Sequence, residues 1–193
     1  SKDESCRKSV SEALEMGYRH IDTAQAYENE EEVGAGIQDT NIPRSDIFLV
    51  TKVWRDKVGK SDLKESVQES LKKLKTDYVD LLLLHWPVDE VPLDEQFEAL
   101  ESVQKEGLTR LIGVSNYPVE LLEKVREELN VEIATNQVEY HPFLTQDKVL
   151  GYLKKHGMFL TAYSPLARGD VLENARLKEI GLKYGLNPVQ LSI

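Results

Sequence analysis

The chain has 193 residues, 40% hydrophobic and 30% charged, a balance that suits one soluble domain with a sizeable core. Its net charge of −10 weighs against nucleic acid or an anionic membrane as a partner. The single cysteine, Cys6, excludes an internal disulfide and a cysteine-based metal cluster, and no apolar run approaches the roughly 20 residues of a membrane helix. A reducing compartment, the cytoplasm, is the expected location.

In chain order, Cys6, Val10, Ala13 and Leu14 make the inward stripe of a first helix. A strand is expected over 18–22 and a second over 47–52. Between them Gly34-Ala35-Gly36 lies in a helical pattern. Leu63, Val67, Leu71 and Leu74 form one helical stripe, with Asp62 and Glu65 resembling a capping box at its start. A strand over 79–85 follows, apolar except for Asp80. The helix over 94–106 turns Phe97, Leu100 and Val103 inward and stops at Gly107. A strand over 111–115 leads to a helix that begins at Pro118 and carries Leu121, Leu122, Val125 and Leu129. The strand over 133–138 precedes a helix capped by Thr145, with Val149, Leu150 and Leu153 inward and Gly157 as its end. The last strand spans 159–163. Asn187-Pro188 reads as a cap with proline at the first helical position, but only five residues follow the proline, too few for a stable helix.

Strands recur every ~23–32 residues with helices between them, the period of a βαβ unit, so a parallel sheet covered by helices is expected. No strand leads into G-x-G-x-x-G and no P-loop occurs, which favours a barrel over an open nucleotide-binding sheet. The expected fold is therefore α/β, a (β/α)8 TIM barrel forming one domain over 1–193. Six strands are legible where such a barrel has eight, so strands one and eight are expected to be missing.

In parallel barrels chemistry gathers at the C-terminal strand ends. Here those ends carry Asp22, Lys52, His85, Ser115-Asn116, Asn136-Gln137 and Tyr163-Ser164. Taken singly, each has an ordinary explanation: a cap for Asp22, a solvated charge for Lys52, a satisfied core ring for His85, a packing residue for Tyr27. Their coincidence on one rim changes the balance. A buried charge is costly unless paired, and Asp22 and Lys52 sit on neighbouring strands. A phenol is a poor acid at neutral pH, and an ammonium beside it favours the phenolate. Tyr27 could then protonate a carbonyl oxygen while hydride reaches the carbon, with His85 orienting that oxygen.

These residues lie in stretches that resemble the signatures of the aldo-keto reductases. The first is Gly17-Tyr18-Arg19-His20-Ile21-Asp22-Thr23-Ala24 with Tyr27, Asn29-Glu30 and Val33-Gly34. Asp80-Leu81-Leu82-Leu83-Leu84-His85-Trp86-Pro87 and Gly113-Val114-Ser115-Asn116-Tyr117 follow. Asn136-Gln137-Val138-Glu139-Tyr140-His141-Pro142 and Ala162-Tyr163-Ser164-Pro165-Leu166 complete the set. The resemblance covers nearly the whole chain, and the short segment over 88–93 resembles the short-loop prokaryotic-type members that reduce diketo-sugar acids, methylglyoxal and simple aldehydes. It implies a catalytic tetrad of Asp22, Tyr27, Lys52 and His85. It implies cofactor contacts from Ser115, Asn116, Gln137, Tyr163, Ser164 and Leu166, with Tyr163 stacking on the nicotinamide. Trp54 and Trp86 fall where the family lines its substrate pocket. NADPH is the implied cofactor, with NADH open because the family's closing Ile-Pro-Lys-Ser-type segment is not in the sequence. A monomer acting on a small carbonyl compound, with no metal, completes the expectation.

Two other readings use the same residues. One is a cofactor-binding regulatory subunit without catalysis, which the intact tetrad disfavours. The other is a Schiff-base lyase with Lys52 as nucleophile, which the carboxylate of Asp22 opposes by keeping the amine charged. A metal enzyme lacks H-E-x-x-H, and the four histidines show no ligand spacing; His141, before Pro142, reads as a loop residue.

Overall fold

The structure is a computed structural model that describes residues 4–193. Six parallel strands form one sheet in sequence order: β1 (His20–Asp22), β2 (Phe48–Val53), β3 (Val79–Leu84), β4 (Thr109–Ser115), β5 (Thr135–Glu139) and β6 (Phe159–Tyr163). Every neighbouring pair is parallel, so each connection is a crossover, and helices fill five of them. These are α2 (Glu30–Gln38), α3 (Lys60–Leu74), α4 (Leu93–Lys105), α5 (Val119–Glu123) and α6 (Asp147–Lys155), with α1 (Glu4–Glu15) ahead of the sheet. The result is an arc of the (β/α)8 barrel; β1 and β6 are its two edges and do not pair with each other.

Alternation along the strands sorts side chains into two layers. Leu49, Val53, Leu82, Leu84, Ile112 and Val114 belong to the main core with the helical stripes, including Leu63, Val67, Phe97, Leu100 and Leu153. Val50, Leu81 and Leu83 form a separate cluster on the concave face. β2 and β3 are buried on both faces because both faces carry packing, as in parallel sheets.

The six expected strands all form; the last spans the expected 159–163, and no end of the others is displaced by more than two residues. Three helix ends differ from expectation. Gly59, in an extended conformation, precedes α3, so Asp62 lies in the first turn, where a carboxylate suits the helix dipole, and is not the cap. Gln146 occupies the N-cap position of α6, and the Thr145 hydroxyl turns to Asp147 instead. The helix begun at Pro118 widens after Glu123 into a π-turn over Lys124–Glu128. The close of the chain also corrects the expectation. Helices α7 (Asp170–Glu173), α8 (Ala175–Tyr184) and α9 (Pro188–Ser192) pack together there. The short α9 forms because Asn187 and Gln190 make a reciprocal capping box and Leu191 packs on a cluster of Ala167, Val171 and Leu177.

At the N-terminal strand ends Asp80 is buried. It accepts hydrogen bonds from Arg44 at 2.8 Å, Arg110 at 3.0 Å and the Leu49 amide at 3.0 Å. Both guanidinium groups lie 4.3 Å from the centre of the Tyr78 ring. This clamp ties β2, β3 and β4 together at the N-terminal end of the sheet.

Candidate active site

The concave face at the C-terminal strand ends collects the polar side chains. Asp22 ends β1, Lys52 is next to last in β2, His85 follows β3, Ser115 ends β4, Gln137 is central in β5 and Tyr163 ends β6. Residues paired in register on a parallel sheet share a face: Ser115 lies opposite Gln137, and Glu139 opposite Tyr163.

Lys52 is fully buried, and its ammonium is satisfied by three oxygens. It donates to the carboxylate of Asp22, to the Thr23 carbonyl at 2.9 Å and to the Tyr27 hydroxyl at 3.5 Å. Asp22 is held on its other oxygen by the Gln137 amide at 2.8 Å, a contact across the arc from β5 to β1. The buried ammonium is tolerated because it is both paired and hydrogen-bonded, while the Asp22 carboxylate keeps partial access to solvent. Because the ammonium donates to the Tyr27 oxygen, the phenol's own proton is free to point at the open face.

Tyr27 closes a short 3-10 turn, Gln25–Tyr27, and Glu28 takes a left-handed conformation just after it. The Tyr27 ring meets His85 edge to face at 5.7 Å, and Trp54 meets His85 in the same way at 5.1 Å. Burial, with the Lys52 charge second, pushes His85 down to about 4, so the ring is neutral near pH 7. Among the described residues His85 Nδ1 is buried without a partner. A buried donor without an acceptor is rarer than a bare lone pair, which places the proton on Nε2.

Beside this group lies a second set. Asn116 adopts a left-handed backbone, which asparagine tolerates, and its amide donates to the His85 carbonyl at 3.2 Å and to Ser115 Oγ at 3.0 Å. Ser115 donates to the Gln137 carbonyl at 2.8 Å. Tyr163 donates to Asn116 Oδ1 at 3.0 Å, which fixes its ring beside the amides. This set fits a primary carboxamide next to a flat ring. Amides and hydroxyls supply both donors and acceptors, and Asn116 Oδ1 keeps a second lone pair. Ser164 has positive φ in the loop after β6, and Leu166 packs on the Ala167–Val171–Leu177 cluster.

The structure therefore brings Asp22, Tyr27, Lys52, His85 and Trp54 into one group and Ser115, Asn116, Gln137 and Tyr163 into an adjoining one. Trp86 is 39% exposed beside His85 but makes no ring contact among the described residues. No three His, Cys, Asp or Glu side chains cluster as a metal site among the described residues. Sequence reasoning left two contributors without a role. Asn136 grips the Tyr117 backbone by its N–H at 3.3 Å and its carbonyl at 2.8 Å, which pins the turn carrying Asn116. Gln25 anchors the Tyr27 turn from below. Asn136 stands inside a quoted signature stretch, which was the available signal for it; Gln25 lies between Ala24 and Tyr27, outside the quoted residues.

Residues 1–188 match the Aldo/keto reductase family. The chain belongs to that family. It is an oxidoreductase, and the family's enzymes reduce carbonyl groups with nicotinamide cofactors. The chain is 45% identical to methylglyoxal reductase DkgB of Escherichia coli O157:H7 over 193 residues, which covers 98% of the chain and 72% of the relative. It is 40% identical to glyoxal reductase of Bacillus subtilis (strain 168) over 184 residues, covering 95% of the chain and 66% of the relative. Among solved structures, an aldo/keto reductase from Brucella melitensis matches with TM-score 0.93 at 43% identity, covering 100% of the chain and 74% of that protein. An aldo-keto reductase from a Medee basin deep-sea metagenome library gives TM-score 0.95 at 39% identity, covering 100% and 72%.

Proposed function

We propose that the chain carries the NADPH-dependent reduction of small aldehydes and ketones, methylglyoxal and keto-sugars among them, with Tyr27 as general acid. The observation that carries this reading is the buried Lys52 ammonium, held by Asp22 and set 3.5 Å from the Tyr27 oxygen, with neutral His85 edge-on to the same ring.

Each residue has a distinct task. His85 Nε2–H donates to the substrate carbonyl oxygen and orients it. Tyr27 releases its proton to that oxygen as charge develops there, and Lys52 stabilises the phenolate left behind. Asp22 and Gln137 keep Lys52 aimed at Tyr27 and away from the carbonyl carbon, so the amine serves as a fixed charge and not as a nucleophile. Trp54 and Trp86 form apolar walls that admit a small carbonyl compound. Ser115, Asn116 and Gln137 would hold the carboxamide of a nicotinamide, and Tyr163 would face its ring; when bound, the reduced ring supplies hydride to the carbonyl carbon. Ser164 and Leu166 extend the same cofactor wall. The preference for NADPH and a monomeric state rest on the family resemblance, and a cytoplasmic location rests on the single cysteine.

The test is consumption of reduced cofactor with methylglyoxal, supplied as NADPH or NADH. Turnover with NADPH preferred is expected. Tryptophan quenching by cofactor without turnover of any aldehyde would replace the reading with a binding-only role.

A further inference from the structure

Gln25 is the first residue of the turn that carries Tyr27, and its side chain reaches two other elements. Its Nε2 donates to Ser70 Oγ at 3.1 Å and to the Ser66 carbonyl at 3.3 Å, both on α3. Its Oε1 accepts the Trp54 amide at 2.9 Å, and Trp54 is the residue whose ring abuts His85. The network continues inward. Ser70 hydrogen-bonds the buried carboxylate of Glu30, which also accepts from the Thr51 hydroxyl at 2.6 Å, and Thr51 immediately precedes Lys52. Gln25, Ser70, Glu30 and Thr51 thus form one chain of polar contacts running under Tyr27 to the strand that holds Lys52.

Packing does not fix this region on its own. A cleft of about 430 Å³ lies against the turn, lined by Gln25, Ala26, Trp54, Ser66 and Ser70 among others. Where side chains are not close-packed, hydrogen bonds must set the position of the backbone, and a small displacement of a reacting group is costly to rate.

We propose that Gln25 is a positioning residue: its amide locks the Tyr27 turn to the Trp54 wall and to α3, so that the proton donor and the substrate pocket keep a fixed relation. The proposal rests on Tyr27 being the general acid. The cofactor groups hang on β4 to β6 and do not depend on it. Loss of Gln25 therefore disturbs proton delivery and substrate fit together while cofactor affinity stays constant.

The test uses the full chain with Gln25→Met, which keeps the volume and removes every polar contact, together with Ser70→Ala and the double variant. With methylglyoxal and NADPH, Gln25→Met should lower kcat by about tenfold or more and raise the KM for methylglyoxal, with NADPH affinity from tryptophan quenching unchanged. The double variant should be no worse than Gln25→Met, because both changes act on one network. Amide exchange at Trp54 should quicken by about tenfold, the usual weight of one hydrogen bond. Unchanged Trp54 exchange, wild-type kinetics in Gln25→Met, or singles that multiply in the double variant would each overturn the proposal. So would an equal loss of kcat and of NADPH-binding capacity, which is the mark of partial unfolding. Tyr27→Phe in the same series separates the two levels: full turnover in that variant refutes the general acid, whereas the exchange measurement judges the Gln25 contact in either case.

Discussion

His85 shows how one environment sets both charge and direction. Its folded-state value near 4 lies below the ordinary 6.5, chiefly through burial and secondly through Lys52. Between those values the unfolded chain holds a proton on this ring that the folded chain does not. The stability gained by keeping the ring neutral is therefore present above 6.5 and is lost as pH falls through that window toward 4. Replacing the ring by a neutral amide, His85→Gln, should flatten the dependence of the urea midpoint on pH across the window; an unchanged slope would contradict a neutral buried His85. Lys52 makes a second prediction at this scale. Lys52→Met leaves Asp22 with Gln137 as its side-chain donor and removes the charge next to Tyr27. A fall in kcat of about a hundredfold is expected, with cofactor affinity kept, read from steady-state kinetics beside cofactor quenching. The paired charges were legible in the sequence because Asp22 and Lys52 end adjacent strands. Gln25 and Asn136 were not, because their partners are backbone groups and a helix hydroxyl far along the chain, which no local pattern announces.

At the scale of elements, helix positions follow from residues that let backbones approach. A side chain added at Gly34 would stand 2.7 Å from the Leu74 carbonyl, and one at Gly36 would stand 2.5 Å from the Arg7 carbonyl. These two glycines let α2 press against α3 and α1; their spacing has nothing to do with phosphate binding. Gly34→Ala is expected to cost about 3 kcal/mol, read from urea unfolding, since backbone cannot yield as a flexible side chain can. Strand periodicity was strong enough to locate all six strands from sequence. Helix starts were less legible, because several polar residues near each start can serve as caps. Gly59 ahead of Asp62 and Gln146 after Thr145 are decided by the loop's approach to the helix, which depends on tertiary packing. The brevity of α9 misled for a similar reason, since its stability comes from a reciprocal cap and from Leu191 in a small cluster.

Across the whole molecule the two ends of the sheet do different work. The N-terminal end carries the Asp80 clamp, where one buried carboxylate pairs with two arginines and orders three strands. Asp80→Ala is expected to destabilise by about 3 kcal/mol, discounted from the fully buried case because Arg110 is more than half exposed. The folded fraction should keep its kcat, because the clamp lies at the other end of the strands from the tetrad. The C-terminal end carries the side chains of the proposed chemistry, the placement expected from the sequence once a barrel was. The measurement that bears most directly on the account is the rate at which methylglyoxal consumes NADPH in Tyr27→Phe beside the unaltered chain, with cofactor quenching followed in the same samples. A fall in kcat of about 10²–10⁴-fold with unchanged quenching is the expected result. Equal rates in the two proteins would show that the proton comes from elsewhere and would contradict the role given to Tyr27.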